Sequence, residues 1–202
     1  MDLVDVTFAG PPFGEGSPIV AALPDELVAL LRQVNGFILR EGALHVRGVC
    51  DEPPWHSLAA AMTGPRALHR LYPSLRASDV PFAQDCVADQ FVLRDGVVHR
   101  LESETGTLEA LDLSLAAFFA QAEADPVEFL GMQPLQRHRQ EGGALQPGQV
   151  LHVYPPFCTR EAANGVSLRA VPVGDALAFL ADFARHVSGL SPDQPRQVEV
   201  EP

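Results

Sequence analysis

Three sets of side chains in this sequence have the residue types of a chemical site. Cys158, His152 and Asn164 could supply a thiolate nucleophile, the base that activates it and a group that orients the base. All three fall between positions 152 and 164. Cysteine–histidine sites draw their partners from distant parts of a chain, so this spacing reads as a structural thiol beside two polar loop residues. No Gly-x-Ser-x-Gly elbow is present.

The second set is His45, Cys50 and His56, with Asp85, Cys86 and Asp89 further on. A closed zinc site wants four nitrogen or sulfur ligands at tighter, paired spacing. These residues therefore read as surface or satisfied core histidines and as turn-forming aspartates ahead of a strand. The third set is carboxylates: Asp85 and Asp89, then Glu102 and Glu104. General acid–base work needs a carboxyl held in a desolvated cleft, and the local pattern provides no burial for these four. They are expected to form a solvated acidic face able to meet a protein partner. No catalytic, cofactor-binding or metal-binding residue is assigned.

Among the elements that must position these side chains, a β-hairpin is the strongest local signal. Gln90–Arg94 and Val97–Leu101 are β-rich runs joined by Asp95-Gly96, a pair that tolerates the positive φ angles of a type I′ turn. A two-residue loop sets Phe91 opposite Arg100 and Leu93 opposite Val98 on one face. Gln90 then opposes Leu101, and Val92 opposes His99, on the other. Apolar residues on both faces predict a strand pair covered on both sides. A third run over residues 107–111 completes a meander. Ser114 then caps a helix that buries Leu115, Phe118, Phe119 and Ala122.

Upstream, residues 3–8 alternate as a short edge strand, and 10–18 form a Gly- and Pro-rich loop. Pro24 to Gly36 predicts a helix with Leu27, Leu30, Leu31 and Val34 as its buried stripe and Gly36 as its left-handed cap. A second hairpin follows over 37–40 and 43–46. Residues 50–62 begin with Asp51-Glu52-Pro53-Pro54 and lead into an apolar helical segment, with Trp55 as a core anchor, and a further helix is expected over 65–71. Downstream, Asp125-Pro126 opens a short helix to about Met132. Residues 133–148 read as a loop, 149–154 and 166–171 as strands, and 175–187 as a helix. Residues 189–202 are Pro-, Gln- and Glu-rich and predict a disordered tail. The expected organisation is one domain over 1–188, with a core at about 20–132 and an extension at about 149–188.

The chain has 202 residues, with 26 acidic side chains against 14 basic, for a formal charge of −12. All the basic residues are arginine and they are scattered, which argues against nucleic acid and anionic membranes as partners. Three well-separated cysteines make no disulfide framework and are expected as buried thiols of a reducing compartment. The first residues lack a secretory pattern, so a cytoplasmic protein is expected.

Two stretches resemble one family. Leu23-Pro24-Asp25-Glu26-Leu27 through Val34-Asn35-Gly36-Phe37 is similar to the opening helix of the SUKH superfamily, the Smi/Knr type. Val80-Pro81-Phe82-Ala83-Gln84-Asp85 through Asp95-Gly96 to Gly106 resembles its central segment, in which a Pro-Phe-Ala loop precedes a strand, an Asp-Gly turn and a second strand. The likeness spans about 24–130. Cys86-Val87-Ala88 replaces a Gly-rich stretch, and residues 133–187 extend beyond the minimal domain. The resemblance implies an α+β fold, a mostly antiparallel twisted sheet with helices packed on it. It implies a non-catalytic immunity-type protein that binds a toxin, for example a nuclease domain; the acidic balance of the chain favours a basic one, met through the face expected at Asp85, Asp89, Glu102 and Glu104. The alternatives are a regulator or scaffold of a larger assembly, a small-molecule binder, and a cysteine-dependent enzyme.

Overall fold

The computed structural model describes residues 5–188. The expected disordered tail and the start of the first strand lie outside them. Seven strands form one antiparallel sheet in sequence order: β1 (Val6–Ala9), β2 (Phe37–Leu39), β3 (Leu44–Val46), β4 (Val80–Asp85), β5 (Gln90–Arg94), β6 (Val97–Leu101) and β7 (Leu108–Leu113). The fold is α+β, as the sequence patterns predict. The β5–β6 register pairs Gln90 with Leu101, Phe91 with Arg100, Val92 with His99 and Leu93 with Val98, as the Asp-Gly turn dictates. Asp95 and Gly96 both have positive φ, 52° and 82°.

Each face of this hairpin is covered by a different layer. Phe91, Leu93 and Val98 join a core with α1 (Asp25–Gln33) and α4 (Leu115–Ala124), centred on Phe118, whose ring lies 4.7 Å from that of Phe91. Ser114 caps α4 by accepting the Ala117 N–H, and Leu115, Phe118, Phe119 and Ala122 are buried. The alternate residues Val92 and Leu101 pack with Tyr72, Ala181 and Ala184. Those belong to the segment after α2 (Leu58–Thr63) and α3 (Leu68–Leu71), and to the last helix.

Several elements differ from expectation. Val80–Asp85 is a wholly buried strand, not a loop, because its neighbours β3 and β5 satisfy its backbone. The helical segment that follows Asp51-Glu52-Pro53-Pro54 starts at Leu58, after a single turn over Pro54–His56. Residues 133–140 form a helix rather than a loop. Pro134 sits in its first turn and Leu135 is fully buried, so a single apolar anchor secures an otherwise polar segment. After α5 (Pro126–Phe129) and this α6 (Gln133–Gln140), a separate hairpin forms from β8 (Gln149–Tyr154) and β9 (Ser167–Pro172). It is closed by α7 (Val173–Ser188). The unit is tied to the sheet where the Leu151 N–H donates to Cys86 O at 2.7 Å.

Candidate functional site

The four carboxylates expected on a solvated face do not share one. Asp85 is 1% exposed and its Oδ1 accepts the N–H groups of Val87 and Asp89, closing the β4–β5 turn. Its Oδ2 accepts from Arg100 at 2.9 Å, and Arg100 also donates to Asp89 at 3.0 Å. Asp89 further accepts the Ser103 N–H. Burial, then the charge of Asp89, raises the Asp85 pKa above the ordinary carboxylate range, and burial raises that of Asp89 against the pull of Arg100. Glu104 accepts two N–H groups, from Phe157 and Cys158, and burial raises its pKa as well. Only Glu102 is exposed to solvent. Alternation in the sequence could not show this, because Arg100, Phe157 and Cys158, which engage buried Asp85 and half-buried Asp89 and Glu104, lie 11 to 54 positions further along the chain.

The other candidate sets resolve in the same way. His152 sets its ring edge-on to Phe179 at 4.8 Å, whereas Cys158 is engaged with Glu104. Asn164 ends a separate short turn. Cys86 is buried, while Cys50 and Cys158 are half-buried and less enclosed than expected. Among the described residues no group of three or more His, Cys, Asp or Glu side chains could hold a metal ion. No helix among them is long and apolar enough to cross a membrane.

His45 and His56 meet directly, His45 Nε2 to His56 Nδ1 at 2.8 Å, and His56 Nε2 lies 3.0 Å from Asn35 O. A carbonyl can only accept, so His56 carries its proton on Nε2 and accepts from His45 on Nδ1. Gly36 and Gly48 crowd this pair, and a Cβ on either would collide with His56. Burial first, with Arg47 adding to it, pushes both imidazoles below their usual pKa, His45 well below. They form a neutral, packed pair.

Arg47, the residue after β3, meets Gln84 of β4 and Gln90 of β5 in a buried polar row. Both Arg47–Gln hydrogen bonds are 2.7 Å long. The signal was present in the alternation that runs through β3 into the residue after it, apolar at Leu44 and Val46 and polar at His45 and Arg47.

The surface groove with a clear chemical character lies between α1 and α4 and encloses about 480 Å³. Half-buried Leu30 and buried Phe119 line its apolar base, and exposed Ala116, Glu26 and Glu123 line its edges. Both glutamates are exposed and neither forms an ion pair with a described residue.

No family model matches the chain, and no curated protein does. Its fold is similar to the crystal structure of Atu4351 from Agrobacterium tumefaciens, with a TM-score of 0.52 and 13% identity, over 87% of this chain and 85% of that one. At this identity the likeness speaks to the fold alone.

Proposed function

We propose that this chain is a non-catalytic, cytoplasmic protein-binding domain of immunity type that binds and neutralises a basic toxin domain. The observation that carries the reading is the α1–α4 groove, with an apolar floor between unpaired Glu26 and Glu123. It fits an amphipathic segment whose apolar stripe enters the groove and whose Arg or Lys residues meet the rims. The net charge of −12 favours fast encounter with a basic partner. The SUKH resemblance over 24–130 supports the same class of activity. The titratable clusters also fit it, since their carboxylates and histidines serve internal hydrogen bonds.

The test takes any toxin domains encoded beside this gene, purified and titrated against the full chain by calorimetry. Saturable binding with loss of toxin activity is expected. Glu26→Lys with Glu123→Lys should weaken it at least tenfold, mainly through the association rate and most at low salt. Failure to bind any neighbouring toxin domain overturns the immunity reading. Full binding by the double variant moves the interface away from this groove.

A further inference from the structure

A second cavity, of about 460 Å³, lies against α2, α3 and the first turn of α7. Most of its wall is apolar, from Trp55, Leu68, Leu71 and Leu177. Its charged groups are Arg47 and Arg66, and no carboxylate lines it. In a chain with 26 acidic and 14 basic residues, that is opposite to the composition.

Arg47 is 3% exposed. Its guanidinium donates to Pro81 O at 2.8 Å, Ala83 O at 3.4 Å, and the side-chain oxygens of Gln84 and Gln90. All four acceptors are neutral, so its charge is held in place without being cancelled. Burial lowers its pKa only to about 10, which leaves it a cation at neutral pH. Its Nε–H donates to none of the described residues. A buried cation without a counter-ion is costly, and an entering anion would relieve that cost. Arg66 is exposed at the cavity's edge, with Nη1 3.7 Å from where a Cβ on Gly174 would stand. Gly174 lies in the first turn of the 16-residue α7, the positive end of that helix.

We propose that this cavity binds a carboxylate-bearing amphiphile, its head group at Arg47 and Arg66 and its apolar chain along Trp55, Leu68, Leu71 and Leu177. The volume lies within the ~300–1,000 Å³ of ordinary small-molecule sites. Neither His152 nor Cys158 lines it. The site is independent of the α1–α4 groove, so either assignment can fail without the other.

Trp55 is the sole tryptophan and forms part of the wall, so its fluorescence reports occupancy. The full chain is titrated with decanoate below its micelle concentration, and separately with 1-decanol and decyltrimethylammonium. Decanoate should bind saturably at one site, at least tenfold tighter than decanol, with no saturable binding of the cation. Exposed Arg66 can be changed without disturbing the core, and Arg66→Gln should weaken decanoate about tenfold while leaving decanol unchanged. Absence of saturable decanoate binding, equal binding of decanol, or an unaltered decanoate affinity in Arg66→Gln overturns the proposal.

Discussion

Glu104, in the turn between β6 and β7, accepts the backbone N–H of Cys158 at 2.9 Å across 54 positions of sequence. Its other oxygen accepts the Phe157 N–H at the same distance. One carboxylate thus fastens the loop of the β8–β9 hairpin to the main sheet. Glu104→Ala should release it, costing about 1–2 kcal/mol, less than two buried charge-assisted bonds would, because water competes for both at this exposed and half-buried site. Hydrogen exchange at the Phe157 and Cys158 amides should accelerate while that of the β5–β6 amides changes little. Unchanged exchange at both loop amides would show that other contacts hold the loop.

Asp85 should make stability fall with rising pH. Burial and Asp89 raise its folded pKa above that of an unfolded aspartate. From about pH 4 upward the folded chain therefore retains a proton that the unfolded chain has released. Asp85→Asn removes this dependence. The difference in unfolding free energy, wild type minus variant, should decline as pH rises from 4.5 to 8. Urea titrations at several pH values measure it, and a flat difference would place Asp85 as fully ionised in the folded protein.

The histidine pair has the opposite sign. Burial depresses both His45 and His56, so the unfolded chain takes up protons below about pH 6.5 that the folded chain refuses. Their contribution is complete above that value and is lost as pH falls. His45→Gln, which can still donate to His56 Nδ1, should reduce the loss of melting temperature between pH 7.5 and 5. An identical loss in the variant would assign the acid sensitivity to other groups.

Leu135 anchors α6 with no exposed surface. Leu135→Ala should cost about 2–5 kcal/mol by chemical denaturation, as for other buried leucines. Because the rest of α6 is polar, its amides should lose protection more than those of α4. A cost below about 1 kcal/mol would mean that the site collapses around the smaller side chain.

A milder cost is expected at the α4 cap. Ser114 Oγ accepts the Ala117 N–H at 3.2 Å, and Ser114→Ala should cost about 1 kcal/mol. Replacement by Asp should restore most of it, since a carboxylate also accepts from that N–H and favours the positive helix end. Thermal unfolding of the three proteins provides the comparison.

Short-range chemistry was sufficient for much of this fold. Asp95-Gly96 set the β5–β6 register because a two-residue turn with positive φ allows only one pairing. Ser114 and the spacing of Leu115, Phe118, Phe119 and Ala122 marked both the start and the buried face of α4. Such signals act within a few residues and need no knowledge of the rest of the chain.

The carboxylates, α6 and the two cavities depended on tertiary packing. Asp85 and Asp89 read as exposed because they are charged, turn-forming residues ahead of a strand; Arg100, 11 to 15 residues on, pairs with both inside the fold. The polar residues of 133–140 suggested a loop until Leu135 found a fully enclosed place. Arg47 and Arg66 are separated by 18 residues, and only the packing of α2, α3 and α7 places them on one cavity. Burial, and with it the energy of a charge, is a property of what surrounds a side chain. It was therefore decided by the assembled structure, whereas turn geometry, caps and helix periodicity were already determined by the sequence.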